Sequence, residues 1–111
     1  MNRFLLCLAS CVAFATPGLA QSAFRATLDG SQEVPPVSTS AGGWGTVLLN
    51  ADGSVTYELA TWALDGLAAH IHTGATGTPG SVIVTLGGGS AVWSGTSTPL
   101  AAADVTELRA G

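Results

Sequence analysis

A chain of 111 residues has room for one domain. Its 47% hydrophobic and 9% charged residues exclude a disordered acidic tail, and a formal charge of −4, with 3 Lys+Arg against 7 Asp+Glu, excludes the basic footprint of a nucleic-acid binder. What remains is a small globular or secreted protein rich in Gly, Thr and Val, whose function has to be sought in its motifs.

The chain opens with a cationic Met1-Asn2-Arg3, an apolar run from Phe4 to Ala15, and Thr16-Pro17-Gly18-Leu19-Ala20 ahead of Gln21-Ser22. This order is that of a secretory signal peptide over residues 1–20, with cleavage after Ala20 and a periplasmic or extracellular product. The run is shorter than the roughly 20 residues a membrane-spanning helix needs, and Pro17-Gly18 keeps it from continuing as a buried helix. Leu8-Ala9-Ser10-Cys11 resembles a lipobox, so the alternative is lipid anchoring through an acylated Cys11. Cys7 and Cys11 both belong to this leader. The mature segment, residues 21–111, therefore has no disulfide to draw on and no further apolar run of spanning length.

Ala23-Phe24-Arg25-Ala26-Thr27-Leu28 alternates, with Phe24, Ala26 and Leu28 on one face, and Asp29-Gly30 ends it as a turn. Gln32-Glu33-Val34-Pro35-Pro36-Val37 carries two prolines that cannot donate to a ladder, so it reads as an extended edge or loop. Trp44 to Leu49 and Val55 to Trp62 read as strands joined through Asp52-Gly53, a β-hairpin. Asp65-Gly66-Leu67 turns the chain into Ala68-Ala69-His70-Ile71-His72-Thr73, and the stretch from Gly74 to Gly80 is a loop. Ser81 to Leu86 is a β-branched strand, and Gly87-Gly88-Gly89-Ser90 turns into a strand from Ala91 to Gly95. Thr98-Pro99 looks like an N-cap and first helical residue, opening a helix from Leu100 to Ala110 that Gly111 stops. Short strands at regular spacing predict an all-β, antiparallel β-sandwich or partial barrel.

The glycines between Gly74 and Gly80 lead into a strand rather than opening a helix, so they are turn residues and not a dinucleotide fingerprint. No serine stands in a Gly-x-Ser-x-Gly elbow and the mature segment has no cysteine, which argues against an enzyme working by covalent catalysis. His70 and His72 form the one constellation with metal chemistry. In a strand, residues two apart point to one face about 6.6 Å apart along the chain, so both imidazoles can converge on copper or zinc while Ile71 faces the core. Two ligands do not complete a site, and a carboxylate such as Glu33 or Asp65 would have to join them. The bland alternative is that the histidines hydrogen-bond to loop backbone at the sheet end. Trp44, Trp62 and Trp93 read as core side chains, with an exposed aromatic stripe for a glycan or polymer as the sharper alternative.

Phe24-Arg25-Ala26-Thr27-Leu28-Asp29-Gly30-Ser31-Gln32-Glu33-Val34-Pro35-Pro36-Val37, the Gly42 to Leu49 strand, Tyr57-Glu58-Leu59 and Ala69-His70-Ile71-His72-Thr73-Gly74 with Gly77 and Gly80 together resemble the CHRD domain family, first recognised in chordin. The resemblance implies an immunoglobulin-like or superoxide-dismutase-like sandwich. It also implies one of two settings: the extracellular growth-factor antagonists of animals, or the secreted bacterial proteins that a signal peptide and isolated domain suggest. The His-Ile-His step is similar to the His-x-His copper strand of Cu,Zn superoxide dismutase, but the further histidines and cysteine pair of that enzyme are missing, so its activity does not carry over. Typical CHRD domains run past Leu108-Arg109-Ala110-Gly111 into a Tyr-x-Asn-Val-His-Thr strand and a Gly-Glu-Ile-Arg-Gly strand. The resemblance therefore implies a domain lacking its last strands, with an open sheet edge through which copies could self-associate. The expected function is a non-catalytic binding or interaction module for a protein or small ligand, with periplasmic copper binding as the alternative.

Overall fold

Alternation in the sequence becomes alternation in burial. In Ser22–Asp29 (β2), Phe24, Ala26 and Leu28 are buried and Ala23, Arg25, Thr27 and Asp29 are exposed. The computed structural model describes residues 22–66 and 68–111, and the backbone of Val12–Phe14. That short strand (β1) pairs antiparallel with β2, opposite Ala23 to Arg25. It falls inside the apolar run read as an export signal; the cationic start, Cys7, Cys11 and the Gly18-x-Ala20 site lie outside the described residues.

After β2, Asp29 caps a short 3₁₀ turn (Gly30–Gln32) by accepting from the Ser31 N–H. A loop holding a cis Val34-Pro35 peptide then leads to Gly42–Leu49 (β3). The expected hairpin joins β3 to Val55–Trp62 (β4). Its turn is closed by Asn50 N–H to Ser54 O at 2.8 Å and Gly53 N–H to Asn50 O at 3.0 Å, with Gly53 at φ 84°. His70–His72 (β5) and Val82–Thr85 (β6) make a separate two-stranded sheet. Gly88–Gly89 (β7) turns through Ser90-Ala91 into Val92–Thr96 (β8), which pairs with β4. The large sheet thus has the order β1-β2-β3-β4-β8-β7, antiparallel throughout.

The fold is all-β and sandwich-like, as expected. Phe24, Leu28, Val47, Leu49, Val55, Tyr57, Leu59 and Trp93 from the inner face of the large sheet form one cluster with Ala69, Ile71, Val84 and Leu86 from around β5 and β6. Leu100, Val105 and Leu108 close it from the last segment.

Two expectations are corrected. The helix (α1) is Ala102–Ala110, and Thr98 and Pro99 are not its start. Residues 97–100 are stitched to the hairpin instead: Ser97 N–H donates to Val55 O at 2.9 Å, Ser97 Oγ accepts from Val55 N–H at 3.0 Å, and Leu100 N–H donates to Gly53 O at 2.9 Å. Backbone groups committed to the sheet are not free to begin a helix, so tertiary pairing overrides the local cap signal. The second correction concerns the tryptophans. Trp93 is buried at 2% exposure, but Trp44 and Trp62 are about half exposed, at 48% and 51%. Val47 and Leu49 face inward on β3, so strand parity turns Gly43 and Gly45 inward and Trp44 out.

Candidate functional site

The site begins with three residues of β5. Ile71 is buried in the shared core at 8% exposure, so His70 and His72, one residue to either side, turn to the opposite face, as the strand period requires. His70 pairs with Thr85 and Ile71 with Val84. The register then shifts, so that His72 pairs with Val82 and Ile83 is left as a bulge residue. A bulge re-aims side chains on the strands it joins. The two imidazole rings end with centroids 5.9 Å apart and planes at 88°.

The loop after β5 fixes one of these rings. Thr73 N–H donates to Ser81 O at 3.0 Å, and Thr78 N–H to Ala75 O at 3.0 Å closes a turn with Gly77 at φ 79°. This folds Gly80 back on the strand so closely that a Cβ there would lie 1.4 Å from Thr73 O; only glycine fits. Gly80 O then lies 2.8 Å from His72 Nδ1. A carbonyl can only accept, so Nδ1 donates, and in the neutral imidazole the lone pair is then on Nε2. On the other side of the strand end, Thr73 Oγ1 donates to Glu107 Oε2, tying α1 to β5.

His72 Nε2 and His70 Nδ1 are both buried and have no hydrogen-bond partner among the described residues. An unpartnered buried nitrogen costs about 1–3 kcal/mol, which makes the pair of them at one place a feature to be explained. The bland expectation, histidines satisfied by loop backbone, holds for His72 Nδ1. Two imidazoles on one ion, with metal–nitrogen distances of about 2.0–2.1 Å, have ring centres roughly 5 Å apart at a tetrahedral angle and roughly 6 Å apart as that angle opens. The observed 5.9 Å lies in this range. A ring whose Nδ1–H is held by a backbone carbonyl is also oriented as ligating histidines are.

Among the described residues the structure does not bring a carboxylate to the pair. Among the described residues no group of three or more His, Cys, Asp or Glu side chains is placed to hold a metal ion. Glu33 is half-buried just after the 3₁₀ turn, where its own N–H bonds Gly30 O at 3.3 Å and burial raises its carboxyl above the ordinary range. Asp65 is exposed. The sequence marks Gly80 as a turn glycine and part of the family motif; what sequence reasoning missed is the role of its carbonyl in selecting the His72 tautomer. Among the described residues no helix is long and apolar enough to cross a membrane.

Comparison with known proteins agrees with the motif reading. Residues 24–111 match the CHRD domain. No curated protein and no solved structure matches the chain. The family match runs from the first buried side chain of β2 through the His-Ile-His strand to the end of α1, and the chain belongs to the CHRD domain family.

Proposed function

We propose that this CHRD domain is an exported, non-catalytic binding module whose ligand is a single transition-metal ion held by His70 and His72. The observation that carries the reading is the pair of buried, unpartnered nitrogens, His70 Nδ1 and His72 Nε2, on rings 5.9 Å apart. With two imidazoles from the protein, the remaining coordination positions belong to water or to a ligand brought by a partner. Copper(II) is preferred over zinc(II), by the general affinity order of nitrogen sites. Export is supported by the cationic start, apolar run and small-residue pair of residues 1–20.

Calorimetric titration of the chain with Cu(II) and with Zn(II) tests the reading. One equivalent should bind, copper more tightly. Affinity should fall as the pH is lowered, since both ligand nitrogens must be free of protons. His70→Ala leaves the Gly80 contact intact and should abolish saturable binding, as should His72→Ala. No saturable copper binding at pH 7, or equal binding by the double variant, would leave the histidines as purely structural groups. Intact mass of exported material tests the leader: a chain starting at Gln21 is expected, and Met1 or Asn2 at the terminus removes the export reading.

A further inference from the structure

The outward face of the large sheet carries a surface that the metal reading does not use. Strand register assigns its rows. Asp29, Gly42 and Trp62 stand side by side across β2, β3 and β4; the next row is Thr27, Trp44, Ala60 and Val92; the third is Arg25, Thr46, Glu58 and Ser94. Trp44 and Trp62 are therefore diagonal neighbours on adjacent strands, within reach of one ligand. Gly42, Ala60 and Thr27 beside them on this face are small, and Val92 follows Ala60 in the Trp44 row. Both indoles are about half exposed.

Trp62 is held in a defined pose. A Cβ on Gly42, which would project from this same face, would meet Trp62 Cζ2 at 2.7 Å and Cε2 at 3.0 Å. The indole lies against the bare backbone of Gly42, one side covered and the rest open, in keeping with its 51% exposure. A glycine in a strand often marks a place of close approach.

We propose that Trp44 and Trp62 form a stacking platform for a neutral polysaccharide with flat, equatorially linked pyranose rings. The C–H faces of such rings lie on indole planes, and the adjacent row of Arg25, Thr46, Glu58 and Ser94 offers both donors and acceptors to sugar hydroxyls. Size argues against a second copy of the chain. Two half-exposed aromatics at about 150–250 Å² each, with Val92 beside them, present only a few hundred Å² of apolar surface. A stable dimer needs roughly 800 Å² from each partner. Charge argues for a neutral ligand: Arg25 is the one cation in these rows, against Asp29 and Glu58. An anionic polymer has little to hold it there.

The test is native affinity electrophoresis of the whole chain in gels containing soluble β-1,4-glucan, with sedimentation onto insoluble cellulose and chitin as a second readout. Retardation or co-sedimentation with at least one of these polymers is expected. Trp44→Ala and Trp62→Ala should each weaken it about tenfold or more, as for an aromatic anchor at a binding hot spot. Gly42→Ala, which keeps both rings but displaces Trp62, should weaken it as well. Both tryptophans are surface residues, so an unchanged melting temperature will show that the variants are folded. Copper titration of the same variants should be unchanged, which separates this surface from the histidine pair. No binding to any of the three polymers overturns the proposal, as does equal binding by the Trp44→Ala/Trp62→Ala double variant. So does a concentration-dependent dimer that the double variant abolishes, since the platform would then be a contact between copies.

Discussion

Replacing Gly66 by alanine tests how tightly the core is closed around Trp93. A Cβ at Gly66 would lie 2.5 Å from Trp93 Cη2 and 2.8 Å from Cζ2, far inside van der Waals contact. Neither partner can retreat easily. Gly66 is pinned by two backbone hydrogen bonds with Ser90, at 3.0 and 3.2 Å, and the backbone of Gly88 closes on Trp93 from β7, where a Cβ would lie 2.7 Å from Trp93 Cα. No positive φ is required at Gly66, so the penalty is steric and not conformational. Overpacking of this kind costs about 1–3 kcal/mol, a large part of the roughly 5–15 kcal/mol that holds a domain folded. At about 4–8 °C per kcal/mol for a domain of this size, the melting temperature should fall by at least several degrees. The assay is a thermal melt followed by near-ultraviolet circular dichroism, in a double-mutant cycle with Trp93→Phe. Phenylalanine does not reach as far as Cη2, so the second substitution should relieve the first, with a favourable coupling of about 0.5–3 kcal/mol. Strict additivity, or an unchanged melt for Gly66→Ala, would refute the contact.

Tyr57→Phe should lower stability by about 0.5–1.5 kcal/mol, because Tyr57 Oη accepts from Gly87 N–H at 2.7 Å in a part-buried hydrogen bond that the variant loses; in urea, the midpoint should fall at unchanged slope. Asp29 and Asp52 are held below the ordinary carboxylate range, first by the hydroxyls of Ser31 and Ser54. Their contribution is complete above the unfolded Asp value and is lost as pH falls through the lowered folded values, so Ser31→Ala and Ser54→Ala should flatten the acid limb of a stability-versus-pH curve. Glu33 acts in the opposite direction: burial raises its folded value, so stability is lost as pH rises through it, and Glu33→Gln should raise the melting temperature at pH 7 but not at pH 3.

Much of this architecture was legible along the chain wherever the controlling forces are local. Phe24, Ala26 and Leu28 read as one buried face, Asp52-Gly53 read as the hairpin turn, and Ile71 read as the inward residue between two outward histidines. The failures have a common origin in contacts between distant segments. Thr98-Pro99 has the local chemistry of a helix start, yet Val55 and Gly53 claim the adjoining backbone. The rule that large apolar side chains lie inside misplaced Trp44 and Trp62, although the parity of Val47 and Leu49 already opposed it for Trp44. The pose of Trp62 on Gly42 depends on two strands meeting in space, and the grip of Gly80 on His72 depends on how the loop between them folds back, which the spacing of the residues does not state.

The pairing of β4 with β8 has a consequence for how the molecule comes apart. β4 is joined to β3 by a tight turn, but its other neighbour arrives only after the excursion through β5, β6 and β7. Short-range closures assemble the β2-β3-β4 meander at low entropic cost, whereas closing β8 onto β4 fixes a long loop. The two halves therefore differ in autonomy, and local opening should favour detachment of the later segment, a difference that amide exchange would resolve strand by strand. Such a detachment uncovers Phe24, Val47, Leu49, Tyr57 and Leu59 together, since these side chains rely on Trp93, Ile71, Val84 and the helix for their cover. Under heat or shear, the adhesive surface of this protein is then the broad inner face of its meander, and the strand edges are secondary.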